Sequence, residues 1–233
     1  MSQKDAASDG ATEMTKEELI WRVRTLYDQA VFAKTCDELA GQFLEYEDKY
    51  PMAIWESNSF YNVSHCAWTF SSSMTLAKLY DKNSKSETLN TLLTEIQKHK
   101  NQIPSQARFI IPYDSSPLSF WDCCQRFKYQ MRILKPYIEK LGTQRDKSLA
   151  HNDKDLIAGL LTLFGKEGLN ETEYTALLDF AINLTSFCLY VLTGQKMSRT
   201  GLDVGDWRNT IEIVEKNRDH SHDEELKIFG ILP

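Results

Sequence analysis

The sequence predicts an all-α protein, and three observations carry that reading. Only ten glycines and six prolines punctuate 233 residues, and Leu, Lys, Glu, Ala and Gln fill the stretches between them, a composition that favours helices. Helix-start signals recur, with Thr15 three residues ahead of Glu18 and Asn170 three ahead of Glu173, each pair able to close a reciprocal cap. Apolar residues return at alternating steps of three and four along several segments, the spacing of one buried helix face. With 42% hydrophobic residues and 11% aromatics the chain can bury a substantial core, and one domain is the simpler reading.

Taken in order, residues 1–14 (MSQKDAASDGATEM) are polar, are expected to be a disordered leader, and lack the apolar core of a signal peptide. A first helix is predicted from Lys16 to near Lys49, with Pro51 ending it or opening the next. Between Met52 and Tyr80 a seam runs through Phe60, Val63, Ala67, Phe70, Met74 and Ala77, while Tyr61, Trp68, Leu76 and Leu79 add other apolar faces, which predicts a central helix. Ser86 and the run ETLNTLLTEIQKHK give a shorter helix, and NQIPSQARFIIPYDSSP, with three prolines, reads as a loop.

Residues 118–141 are predicted as one long amphipathic helix with a seam of Phe120, Cys124, Phe127, Met131, Leu134, Ile138 and Leu141. Pro136 lies inside it and tends to kink it, and Gly142 is a plausible stop or bend. LIAGLLTLFGKEG is a short apolar segment, followed by a last core helix capped by Asn170 with a seam of Leu177, Phe180, Leu184, Phe187 and Val191. The tail holds one further amphipathic helix around Val204–Glu215 and then HSHDEELKIFGILP. No segment is read as approaching the length of a membrane span, so a cytoplasmic protein is expected. Five cysteines, an odd number with no CxxC pair, fit a reducing compartment.

The formal charge of −6 argues against binding long nucleic acid through the whole surface. Its distribution is uneven: Arg126 to Lys147 holds seven Lys or Arg against Glu139 and Asp146, so this stretch carries +5 and the remainder −11. Lys128, Arg132 and Lys135 stand at i, i+4 and i+7, one basic stripe on a continuous helix, which reads either as a phosphate track or as an ordinary solvated face. The stripe leads to RDKSLAHND, residues 145–153. On a regular helix Arg145 and His151 would point roughly 120° apart and sit about 9 Å apart along the axis, so they would not share one face. Either the helix breaks between them or each works with a second copy across an interface.

Arg145, Asp146 and, after four further residues, His151, at the end of a long helix in an all-α chain, resemble the HEPN family, whose hallmark is an arginine, usually followed by a polar residue, with a histidine after four to six intervening positions. With the upstream TLAKLYDKNSKSETLNTLL, the chain looks like the abortive-infection branch of AbiU type, over most of residues 15–195. The resemblance implies an HEPN-like bundle over 15–195, with residues 196–233 as a C-terminal helix and tail packed on or extending from it. It further implies a homodimer that sets two motifs in one cleft, RNA as substrate, no cofactor and no metal, and, for a toxin-like enzyme, an antitoxin or other regulatory partner.

The residues suit that chemistry. RNA brings its own nucleophile, the 2′-hydroxyl, so an enzyme need only remove its proton, stabilise a phosphorane and protonate the leaving 5′-oxygen. His151 titrates near neutral pH and suits proton transfer, and Arg145 keeps its charge and presents fixed donors to phosphate oxygens. Asp146 suits orientation of either, and Lys128, Arg132, Lys135, Lys147 and Asn152 are the candidate substrate contacts. A plainer reading has Arg145 salt-bridged and His151 closing a helix C-terminus, and Asn152 with Asp153 serving turn chemistry. A second class, a non-catalytic HEPN module holding a nucleotide or protein in the same groove, is kept beside it. His220, His222, Asp223 and Glu224 read as a solvated tail, His65 as a core histidine, Cys123 and Cys124 as small core residues, and the aromatic stripe of residues 55–70 as core or dimer interface.

Overall fold

The computed structural model describes residues 14–50, 54, 58–82, 87–103, 107–150, 168–197 and 208–217; of residues 102 and 147–150 only the backbone is considered. The first helix, α1 (Lys16–Lys49), starts where the cap predicts. Glu18 N–H donates to the Thr15 hydroxyl and the Thr15 N–H donates to the Glu18 carboxylate, which holds that carboxyl below its usual range. Leu19, Val23, Leu26, Ala30 and Ala33 are buried at steps of four and three, and this face packs against α2 (Asn58–Leu79) and α6 (Glu171–Thr193).

The predicted seam of α2 is displaced. Phe60 and Val63 are 60% and 67% exposed and Ala67 is exposed, whereas Tyr61, Thr69, Ser72, Ser73, Leu76, Ala77 and Leu79 are buried. The reason is a buried face made partly of hydroxyls. Ser72 Oγ donates to the Ala33 carbonyl at 2.7 Å and lies 2.6 Å from the Tyr174 hydroxyl, so small polar residues bring α1, α2 and α6 together where an apolar count finds nothing.

The short helix α3 (Leu89–Lys98) buries Leu89, Leu92, Leu93 and Ile96, and a 3₁₀ turn (His99–Gln102) follows. The proline-rich loop closes on itself through an antiparallel bridge between Phe109 and Leu118 and through Arg126, which donates to Asp114 at 2.8 Å. Among the described residues there is no strand beyond that bridge.

The long helix predicted over 118–141 is two helices, α4 (Phe120–Ile133) and α5 (Lys135–Ala150), divided at Leu134. Pro136 supplies the cause, since it has no N–H to donate and its ring crowds the carbonyl four residues back. The seam nevertheless carries across the break, with Phe120, Cys124, Phe127, Leu134, Ile138 and Leu141 all buried. Gly142 does not stop α5, which continues through it to Ala150.

Helix α6 is capped by Asn170 and Glu173 as predicted and ends at Gly194, whose φ of 75° places it in the left-handed region that favours glycine. It corrects one expectation: by length and composition it is apolar enough to cross a membrane, and 67% of that window is buried by the rest of the fold. One core joins Leu19 on α1 to Leu192 on α6 and includes α3, α4 and α5. Cys123, Cys124 and Cys188 lie within it as free thiols, and burial pushes Cys123 up to about 12 and Cys124 up to about 11. A smaller cluster of Phe43, Tyr46, Ile54, Tyr61 and Ile211 seats the helical residues 208–217 against α1 and α2, pinned by Arg208 on Tyr46 at 2.8 Å and Tyr50 on Glu212 at 2.9 Å. His65 is half-buried against Phe43, with the centres of the tilted rings 4.9 Å apart, and desolvation lowers its pKa, so it lies at the margin of this cluster and not within the core. The apolar segment from Leu156, residues 204–207 and the tail from 218 lie outside the described residues.

Candidate functional site

The break at Leu134 redirects the chain so that α5 runs past the C-terminal end of α2. Between them is a cleft of about 360 Å³ walled by Tyr80, Asp81 and Lys82 from the α2 side and by Ile138, Glu139 and Arg145 from α5. Ile138 and Leu141 bury the inner face of α5, which leaves Gly142, Arg145 and Asp146 along the cleft. Tyr80 anchors the floor: its buried hydroxyl donates to the Leu177 carbonyl at 2.7 Å, and burial holds its pKa well above the ordinary tyrosine range.

Arg145 is 28% exposed. Its Nε and Nη2 both donate to Asp146 Oδ1 at 2.9 Å, and its Nη1 lies 3.8 Å from Asp81 Oδ1. Adjacent residues on a helix point about 100° apart, so the first contact forms only because the long arginine side chain curls back on its neighbour. Glu139, across the cleft wall, sits 3.7 Å from Lys82 and 4.0 Å from Lys135. Among the described residues, the charged groups lining the cleft are therefore two cations, Lys82 and Arg145, and three carboxylates, Asp81, Glu139 and Asp146.

The structure thus brings Arg145 and Asp146 together and adds residues that the motif did not name. Glu139 shares the α5 face that faces the cleft, so its register is readable from the sequence. Asp81 and Lys82 join only through the packing of α2 on α5, for which sequence spacing has no signal. The basic stripe is not one face: Lys128 is half-buried and donates to Gln97 at 2.8 Å, Arg132 is exposed on α4, and Lys135 stands on the far side of the helix break. None of the three lines the cleft. The side chain of Lys147, and His151 and Asn152 altogether, lie outside what is described, as do His220, His222, Asp223 and Glu224.

A helical bundle with an arginine–acid pair on the helix that leads to a histidine has the form of an HEPN module. The family model HEPN_AbiU2, described as AbiU2, matches residues 17–213, and the chain belongs to that family, the abortive-infection branch of HEPN proteins. Neither a curated protein nor a solved structure matches it.

Proposed function

We propose that this chain is a metal-independent endoribonuclease acting in abortive infection, with Arg145 and His151 as its catalytic residues and Asp146 in support. The observation that carries the reading is the place of Arg145: its guanidinium stands in a cleft on α5, oriented by two carboxylates, and the same helix leads toward His151.

In the proposed step, one His151 takes the proton from the RNA 2′-hydroxyl and O2′ forms a bond to phosphorus. The P–O5′ bond then breaks, and a second His151 protonates O5′. The products are a 2′,3′-cyclic phosphate and a 5′-hydroxyl. A homodimer supplies the second histidine, which removes the need for Arg145 and His151 to converge within one chain. Arg145 meets the charge that grows on the phosphorane oxygens. Its present contacts do not forbid this. An exposed ion pair such as Arg145 with Asp146 is worth about 0.2–1 kcal/mol, so little is lost when a phosphate takes the place of the carboxylate. Arg132 and Lys135, which lie outside the described cleft, and Lys147 and Asn152 are proposed contacts, and Lys128 contributes only after leaving Gln97. A toxin-like activity of this kind calls for an antitoxin or other restraining partner.

One observation favours a second reading, a non-catalytic module that binds a nucleotide or protein. Among the described residues lining the cleft of a single chain, carboxylates outnumber cations, which suits a cationic protein segment better than a phosphate. Cleavage of a mixed RNA in EDTA by the protein beside His151→Ala separates the two. Cleavage leaving cyclic phosphate ends, absent in the variant, is expected; equal cleavage by both proteins, or none by either, contradicts the ribonuclease reading.

A further inference from the structure

The largest cavity among those described lies away from the Arg145 cleft. It measures about 670 Å³ and opens between the loop at 108–112 and the C-terminal part of α6. Ser186 on its wall is nine residues beyond Leu177, the residue that anchors Tyr80 under the cleft, which places the two sites roughly 13 Å apart along α6.

Two features mark it as a built site. Phe109, Phe187 and Tyr190 form an aromatic wall, with Phe109 edge-on to Phe187 at 5.5 Å and to Tyr190 at 6.0 Å. Both walls are held in place, the loop by the Phe109–Leu118 bridge and the Arg126–Asp114 pair, the helix by its burial in the core. Ser186 and Asn183 stand on the helix wall, with the Ser186 hydroxyl itself shielded from the cavity. The second feature is charge: the charged residues lining the cavity are Arg108, which also donates to the Ala107 carbonyl at 3.1 Å, and Lys196, with no acid among the described residues there, in a chain of net charge −6.

We propose that this cavity binds a small organic anion, a flat apolar body carrying one anionic group. The rings and Ile111 would cover the body, Asn183 would hydrogen-bond it, and the cations at the mouth would hold the charge. Two rim cations match a single anionic group better than a polyphosphate. The site stands independently of the ribonuclease reading, because no residue of the Arg145 cleft lines it.

The test uses 8-anilinonaphthalene-1-sulfonate, an aromatic body with one sulfonate, and N-phenyl-1-naphthylamine, a closely related body without charge. Binding is followed by fluorescence on the full chain, on Lys196→Glu, whose side chain is exposed and whose change leaves the core intact, and on Phe60→Ser, which removes an exposed ring elsewhere. The expected result is one sulfonate probe bound per chain, about threefold or more weaker with Lys196→Glu, with the neutral probe unchanged and Phe60→Ser without effect on either. Equal binding of the sulfonate probe by the parent and Lys196→Glu, equal weakening of both probes, or loss of binding with Phe60→Ser overturns the proposal.

Discussion

Helices α5 and α6 meet at one end of the bundle and are built in opposite ways. Of the 23 residues of α6, thirteen are buried, and they face α1, α2, α3, α4 and α5. In α5 the buried residues as far as Asp146 are Ile138 and Leu141, and the rest of that stretch is wholly or partly exposed. One helix gains its stability by removing apolar surface from water; the other rests on that core along a narrow stripe and offers its remaining faces to a cleft. A helix held along so narrow a stripe can carry charged groups on its other faces without endangering the fold, because little of the fold's stability passes through it.

Truncation in α6 gives the largest effect on stability. Leu184 is fully buried, and Leu184→Ala is expected to cost about 3 kcal/mol, read as a lower denaturant midpoint. Next comes the hydroxyl contact between helices: Ser72→Ala removes the bonds to the Ala33 carbonyl and the Tyr174 hydroxyl and should cost about 1–3 kcal/mol by the same measurement. A change smaller than 0.5 kcal/mol would mean that this polar face does not hold α2 to its neighbours.

Asp37 sharpens the comparison through pH. Burial, opposed by Lys34 and reinforced by Glu38 and Glu171, raises its carboxyl to about 6 from 3.8. A pKa higher in the folded than in the unfolded chain means that between about pH 4 and 6 the folded protein binds more protons, so the stability contribution of this group falls as pH rises through that window. Asp37→Asn, which resembles the protonated acid, should therefore raise the melting temperature at pH 7 and leave it nearly unchanged at pH 4. The smallest effect is expected where the two helices are tied: Lys140 on α5 donates to Glu173 at 2.7 Å, and this exposed pair contributes about 0.5 kcal/mol, so Lys140→Ala should shift the denaturation midpoint only slightly.

How far the sequence reveals these regions follows the same division. Apolar spacing and caps specify α1 almost to the residue and the start of α6 at Asn170, because there the buried face is apolar and the N-terminal ends are closed by side chains three positions away, whereas α3 begins at Leu89 behind Thr88 and not at Ser86. The same method misplaces α2, where Ser72 and Ser73 lie inside and Phe60 and Val63 lie outside. It also runs α4 and α5 together, because the seam continues unbroken through Leu134 while the backbone does not. At the site, Arg145 and Asp146 stand in the motif, while no motif marks Glu139, although its helix register with Gly142 and Asp146 would place it on the same face. Asp81 and Lys82 have no such signal, since their place depends on where α2 ends against α5, a tertiary fact.

The central claim is that α5 carries chemistry and little stability, and Arg145→Ala tests both halves at once. RNA cleavage in EDTA and the denaturation midpoint would be measured on the parent and the variant in one buffer. The account predicts cleavage lost at least a hundredfold with the midpoint within 0.5 kcal/mol of the parent. Undiminished cleavage, or loss of activity accompanied by a large fall in stability, would contradict it.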